Sequence, residues 1–561
     1  MNVEVSAPFD KIEFRIEGRR MRVFGKKIGQ RAACCDFGKA RVNYAIDKIK
    51  GGHKITGTIQ GKLGRIEVLR CKAPKTFLMN NWQSWGPTQK IYSDAKLTEL
   101  ETIAQDNRLH VFSPIPETIL QHLVSDYFVC WENMLLGFLS SKIAHPFFVV
   151  EGRDLVGYLE YFDTSFNKAI SLEPLVVLEG EAVESLLERY GSLINTENKI
   201  KISPWNPVGW CSWYQYFGKL EWQDILKNLD IAKNEKGFPF ELFQIDDGYE
   251  QDIGDWMTTK QGYPPICELA QAIKSRGFIP GIWTAPTSVA ETSRLFAEKP
   301  GWMVSENSSL KLSYKAWGKK IYALDMTNPD AKNWLFETFR TLKKAGFDYF
   351  KIDFLFSAAM SGTRQKNVTP IQAYQEGLKV IRKAVGKSFI LGCGAPLLPS
   401  AELVDGMRIG EDTAPYWKTK PSPFQGPNAY FALKNAILRQ FMHRKLWLND
   451  PDCLLLRSKD SELAENEREL YALVAGALDN MLIDSDDLSL VGERGKMLLK
   501  KAIGLRGGKV IVRGLLNDDF YIIESKRSSS GDFILAANLS DEKRTCRGKT
   551  IAHRTVELIV S

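Results

Sequence analysis

Val208-Gly-Trp-Cys-Ser-Trp213, a helical stretch over residues 222–234, then Phe240-Glu-Leu-Phe-Gln-Ile-Asp246: this unit decides the fold. A short apolar run, an amphipathic segment and a second apolar run are the pattern of parallel strands joined by a crossover helix. The pattern recurs. Further strand candidates stand at 278–284, 321–325, 349–354, 389–393, 406–412 and 446–450, with helical periodicity at 266–276, 331–344, 371–385 and 430–443. Eight strands within about 250 residues match the size of a closed (β/α)8 TIM barrel. An open doubly wound sheet normally carries a glycine-rich first turn, and 211–215 shows none. A barrel is therefore expected over residues 201–490.

The flanks read differently. Over 1–200, β-rich runs at 54–60, 65–70, 135–140, 147–150 and 155–161 alternate with turn residues, which predicts an antiparallel β-sandwich domain. A helix over 181–193 ends it, and 201–207, with two prolines, reads as a linker. Over 491–561, strands at 509–513, 520–524, 533–537 and 555–560 predict a small antiparallel β-domain, with 528–530 as a turn.

Composition excludes several classes. The 561 residues are 44% hydrophobic and 25% charged, an ordinary globular balance. A formal charge of +8, without a run of five like charges, does not suggest nucleic acid. No run approaches the ~20 apolar residues of a membrane helix. Residues 1–14 carry Glu4, Asp10 and Lys11 and lack an apolar core of signal-peptide length. Nine cysteines without a C-x-x-C suggest a reducing compartment, so a cytoplasmic location is expected.

Barrel enzymes carry their chemistry at the C-terminal strand ends. Those ends are Trp213, Asp246–Asp247, Trp283, Asp325, Asp353, Cys393, Asp412 and Asp450. Carboxylates are costly to bury unless paired or functional, so this many at one mouth is informative. In Tyr349-Phe-Lys-Ile-Asp353-Phe, alternation puts Lys351 and Asp353 on one face, opposite Phe350, Ile352 and Phe354. The polar pair must then look into the barrel. A nearby ammonium favours the ionised carboxylate, as a nucleophile requires; a structural Lys–Asp pair is the competing reading. In Arg408-Ile-Gly-Glu-Asp412, parity places Arg408, Gly410 and Asp412 together and Glu411 on the other face. Asp412 is thus favoured over Glu411 as general acid, and Gly410 would leave room for a ligand to approach the backbone. Asp246 and Asp247 can both serve the mouth only if the strand stops there, which Gly248 supports. They could hold neighbouring sugar hydroxyls.

Aromatic residues crowd the same ends: Trp213, Tyr214, Tyr216, Tyr249, Trp256, Trp283, Tyr416 and Trp417. They suggest platforms for the C–H faces of sugars. The six histidines show no metal-binding spacing, and no phosphate-binding loop or G-x-S-x-G elbow is present. Two carboxylates with no metal and no cofactor are what glycoside hydrolysis needs.

Taken in order, Asn80-Asn-Trp82-Gln-Ser-Trp85-Gly, Ser140-Ser-Lys-Ile-Ala-His-Pro-Phe-Phe, Trp210-Cys-Ser-Trp213-Tyr, Phe243-Gln-Ile-Asp246-Asp247-Gly-Tyr, Pro280-Gly-Ile-Trp283, Lys351-Ile-Asp353-Phe, Arg408-Ile-Gly-Glu-Asp412 and Leu448-Asn-Asp-Pro-Asp-Cys453 resemble the α-galactosidases of glycoside hydrolase family 36. The likeness is to their short form in thermophilic bacteria. The resemblance implies an N-terminal β-supersandwich, a catalytic barrel and a C-terminal antiparallel β-domain. It implies hydrolysis of terminal α-galactosyl residues from oligosaccharides of the melibiose or raffinose type, with retention by double displacement. Asp353 would be the nucleophile and Asp412 the acid/base. Asp246, Asp247, Lys351, Cys393 and Arg408 would contact sugar hydroxyls, and Trp82, Trp213, Tyr214 and Trp283 would wall the pocket. Larger members carry Lys-Trp-Asp-Met-Asn where this chain has Lys-Ile-Asp-Phe-Leu, and their oligomeric state does not transfer. An α-galactosyltransferase or α-N-acetylgalactosaminidase with the same pair is the alternative.

Overall fold

The computed structural model describes residues 12–16, 19–23, 32–37, 40–95, 113–115, 117–120, 122–418, 427–527 and 531–559. The expected turn at 528–530 and most of the stretch 1–14 lie outside the described residues. Among the described residues, no helix is long and apolar enough to cross a membrane.

Ahead of the barrel lies an eleven-stranded antiparallel sheet. Its spine is two long paired strands, Gly52–Lys72 and Asp154–Ser171. The expected strands 54–60 and 65–70 are thus one strand. Gly61, Lys62 and Leu63 between them stay paired and are flanked by register shifts, between Glu160 and Thr164 and between Phe166 and Ile170 of the partner, so a bulged ladder replaces the turn. The helix Val183–Asn198 packs on this sheet, and Tyr190 donates its hydroxyl to Phe138 O at 2.6 Å.

Eight parallel strands follow: β1 Val208–Cys211, β2 Leu242–Ile245, β3 Ile279–Thr284, β4 Tyr349–Ile352, β5 Phe389–Gly392, β6 Gly406–Arg408, β7 Leu448–Asp450 and β8 Leu482–Asp484. They pair in chain order from β1 to β7, and β8 pairs with β1. The end strands meet through Met481 N–H donating to Asn449 O at 3.0 Å, which brings the barrel round to closure.

Two strand expectations need correction. Residues 321–325 are not a barrel strand. Lys319–Ala323 instead joins Ser288–Ala290 and Leu312–Ala316 in a three-stranded antiparallel sheet inserted between β3 and β4. Its hairpin turns at Trp317-Gly318, with φ of 53° and 70°, the positive pair that matches strand twist in a two-residue turn. Asp325, expected at a strand end, is a loop staple: its carboxylate accepts from Thr327 N–H (2.8 Å) and Gln365 N–H (2.8 Å). The eighth strand is β8, three residues long.

Local chemistry explains the crossover helices. Pro329–Ala345 starts with Asn328 accepting from the Asp330 and Ala331 N–H groups and Pro329 in the first turn, and it ends on Lys343, Lys344 and Gly346. On β4, the Phe350 ring lies 5.7 Å from Phe339 of that helix, which leaves Lys351 to the barrel interior. A four-stranded antiparallel sheet, Lys509–Arg513, Phe520–Lys526, Phe533–Asn538 and Thr555–Ile559, completes the chain.

Candidate active site

The strand ends open on a cleft of about 300 Å³. Trp213, Asp246, Asp247, Trp283, Lys351, Asp353 and Asp412 line it, as the sequence led us to expect. Trp82, Tyr214, Cys393 and Arg408 do not; all are buried behind the lining.

Asp353 follows the last residue of β4. Its N–H donates to Thr284 O (2.8 Å), and Phe354 then turns sharply with φ 51°. The carboxylate accepts from the Trp283 indole (3.0 Å) and the Phe354 N–H (2.8 Å). Burial pushes the Asp353 carboxyl up, against the opposing pull of the Lys351 charge and of hydrogen bonds from Trp283, Cys393 and Phe354. The buried Cys393 thiol is itself pushed well up, so it stays a donor. It also accepts from the Trp85 indole at 3.3 Å, a contact that reaches across from the N-terminal sheet. Gly394, with φ 51°, permits this approach, because a Cβ there would stand 3.0 Å from the Trp85 ring. Trp85 is therefore the wall that Trp82 was expected to provide. Trp82 faces inward and packs edge-on against His145.

The partner of Lys351 also differs from expectation. Its ammonium donates to Asp246 Oδ2 at 2.8 Å, across the barrel interior, and acts on Asp353 through its charge alone. Asp246 accepts in addition from Gln244 Nε2 (2.6 Å), the Cys211 thiol (3.3 Å) and the Asp247 N–H (2.9 Å). β2 stops at Ile245 and Gly248 takes φ 113°, so both aspartates reach the cleft. Asp247 accepts from the Trp317 indole at 2.7 Å. The inserted hairpin thus supplies Tyr314, Lys315, Ala316 and Trp317 to the rim, none of them singled out from sequence.

Strand parity does not reach Asp412, because β6 ends at Arg408. What holds Asp412 is the Arg408 guanidinium, 2.6 Å from its Oδ1. Arg408 also pairs with Asp452 at 3.1 Å, and Asp452 receives the Tyr214 hydroxyl. Arg408 and Tyr214 therefore support the lining from behind. Asp412 keeps a side chain 34% exposed, while Glu411 also lines the cleft and is buried. Gly410 faces a helix rather than a ligand: a Cβ there would lie 3.3 Å from Asn435 and 3.4 Å from Ala432.

The arrangement offers two carboxylates at one opening, a buried ammonium–carboxylate pair at its floor and indoles on its walls. That set can bind a polyhydroxylated ring and exchange protons at a bond between Asp353 and Asp412.

Comparison with known proteins agrees in sequence and in shape. Residues 45–179 match the family model "Alpha-galactosidase, N-terminal", and residues 176–385 match "Melibiase". An Escherichia coli α-galactosidase is 26% identical over 169 residues, 28% of this chain and 23% of that protein. The α-galactosidase AgaA of Geobacillus stearothermophilus is 25% identical over 178 residues, 29% of this chain and 24% of that protein. The matches thus span about a quarter of these relatives' length. The solved Thermus thermophilus α-galactosidase TtGalA, in complex with stachyose, superposes with a TM-score of 0.68 at 25% identity, covering 85% of this chain and 100% of that one. The Geobacillus AgaA structure shares the fold at 11% identity, with a TM-score of 0.57 over 89% of this chain and 73% of its own.

Proposed function

We propose, on the premise that this chain belongs to glycoside hydrolase family 36 beside the short α-galactosidases of thermophilic bacteria, that it is a retaining, exo-acting α-galactosidase. The observation that carries the reading is the placement of Asp353 and Asp412 on one small cleft whose floor is the Lys351–Asp246 pair. Asp353 attacks the anomeric carbon while Asp412 protonates the departing oxygen. Water activated by Asp412 then releases galactose with its α configuration kept. A volume of about 300 Å³ suits one terminal sugar ring, which supports exo action. Asp246 and Asp247 are acceptors for the axial 4-hydroxyl, and a site built around a hydroxyl rejects its misplacement strongly. Trp85, Trp213 and Trp283 form the apolar wall. The substrates are α-galactosides of the melibiose and raffinose type. Cys71, Cys130, Cys211, Cys267, Cys393, Cys453 and Cys546 are free, which supports a reducing, cytoplasmic setting. In this reading the chain divides near 200 and 490 into sandwich, catalytic barrel and C-terminal β-domain.

The test pairs aryl α-galactoside with aryl α-glucoside and follows the first-formed sugar by NMR. Preferential galactoside cleavage with α-galactose appearing first is expected; β-galactose first would overturn retention. Asp353→Ala should lower kcat by about 10³-fold or more while galactose still binds. Product analysis with an added sugar acceptor separates hydrolysis from transfer.

A further inference from the structure

Glu250 has no part in the machinery described so far, yet it is buried at its edge. It closes the run Asp246-Asp-Gly-Tyr-Glu250, bridges to Thr259 through its backbone, and is 7% exposed. Among the described residues it makes no ion pair with lysine, arginine or histidine. Gly248 folds the chain back, so the Glu250 Oε2 accepts the Gly248 N–H at 3.2 Å and the Glu250 and Asp247 carboxyls stand within hydrogen-bonding reach of each other. A bond between them forms only when one of the two groups carries a proton.

Accepting the galactosidase reading above, we propose that Glu250 is a positioning residue for substrate binding: held as the carboxylic acid, it donates its O–H to Asp247, so that Asp247 stays ionised and presents acceptor lone pairs to the sugar hydroxyls. The environment divides the pair in this sense. Asp247 has the Trp317 indole at 2.7 Å as a second donor and opens on the cleft. Glu250 has only backbone N–H groups, those of Gly248 and of Glu250 itself, and is enclosed. Burial first, and the Asp247 charge second, push the Glu250 carboxyl well up. Asp247 is also raised by burial and, less, by the Asp246 charge, while hydrogen bonds from Glu250 and Trp317 and the Lys351 charge oppose this.

The consequence is an alkaline limit on binding. As pH rises, Glu250 loses its proton, two carboxylates face each other, and Asp247 is no longer held for the sugar. The groups around the pair do not supply this titration. Tyr249 and Tyr263 face Glu250 and Tyr314 faces Asp247, and burial pushes all three phenols up. Lys351 is held on Asp246, and Lys260, beside Gly248, donates to Leu220 O at 3.0 Å.

The experiment measures the galactose Kd from about pH 6 to about pH 9, together with KM for an aryl α-galactoside, in wild type, Glu250→Gln and Glu250→Ala. The wild-type Kd should weaken with rising pH. Glu250→Gln, whose amide donates at every pH, should bind as wild type at neutral pH and lose the dependence. Glu250→Ala should raise KM about tenfold with kcat little changed. A flat wild-type profile, an unchanged slope in Glu250→Gln, or equal KM values in the two variants would each overturn the proposal. A substrate-free readout separates this from the function itself. Trp317 donates to Asp247, so the part of the fluorescence pH titration lost in Trp317→Phe should also be lost in Glu250→Gln. Its persistence in Glu250→Gln overturns the shared proton whatever the enzyme cleaves, whereas failure of wild type to bind galactose or cleave the galactoside defeats the functional reading.

Discussion

Replacing Lys351 by methionine tests whether the cleft floor is held by charge. The pair is almost wholly buried beneath the cleft it floors, with side chains 8% and 3% exposed and 2.8 Å between Lys351 Nζ and Asp246 Oδ2. Methionine keeps most of the alkyl volume, so the change isolates the charge without leaving a large cavity. Deleting one partner of a buried pair costs about 3–5 kcal/mol. Asp246 keeps donors in Gln244, the Asp247 N–H and the Cys211 thiol, which puts the loss near the lower end, about 3 kcal/mol. Urea titrations at pH 7 of wild type, Lys351→Met, Asp246→Asn and the double variant form the cycle. The double variant should recover most of the loss, with a coupling of about 2 kcal/mol or more. A second readout is the pH profile of kcat/KM. Burial raises the Asp353 carboxyl, and the Lys351 charge is the largest opposing influence. Its removal drives the carboxyl further up, so the acid limb should move to higher pH. A loss below about 1 kcal/mol with an additive cycle, or an acid limb that moves down, refutes the reasoning.

Three further outcomes follow from the same geometry. Trp283→Phe removes the 3.0 Å indole bond to Asp353; kcat/KM should fall about 10- to 100-fold, and its acid limb should rise in pH. Burial first, then the Asp452 charge, raise Asp450 from 3.8 to about 6. The native state therefore keeps a proton that the unfolded chain releases, and wild type loses stability as pH rises through that window. Two units at 1.36 kcal/mol each make about 3 kcal/mol, so Asp450→Asn should flatten the stability profile between about pH 4 and 6 and be the more stable protein at pH 7 in urea titration. Gly476→Ala would place a Cβ 2.2 Å from Ala502 O, where helices Glu465–Ala477 and Glu493–Gly504 meet; a loss of about 1–3 kcal/mol should appear in thermal unfolding.

The barrel was legible wherever a strand carried polar residues on one face alone. Lys351 and Asp353 alternate with Phe350, Ile352 and Phe354, so period two named the inward side chains directly. The three residues of β8 were too short to show a period, and residues 321–325 have the same apolar alternation whether they pair parallel in a barrel or antiparallel in a hairpin. The Trp317-Gly318 turn was the signal that could have separated these. Partners were less legible than positions. Lys351 and Asp246 stand 105 residues apart and meet only because β2 and β4 flank β3. Trp82 and Trp85 lie in one loop without periodicity, and only the docked barrel decides which indole turns outward. Asp412 was named for the wrong reason: parity fails beyond Arg408, and the guanidinium itself places the carboxylate.

The N-terminal loop that carries Trp85 is pinned by Arg439, a residue with no exposed surface. Its guanidinium donates to Ser84 O (2.8 Å), Thr88 Oγ1 (2.8 Å) and Asn80 Oδ1 (3.1 Å) on that loop and to Ile409 O (2.9 Å) after β6. Trp85 meets Cys393 across 308 positions of chain. On the ribosome, then, this wall of the cleft is synthesised long before the floor and the carboxylates that it must face, and it waits for them. Turnover then needs both closure of the barrel and docking of the sheet, and the appearance of activity after refolding would time the later of the two.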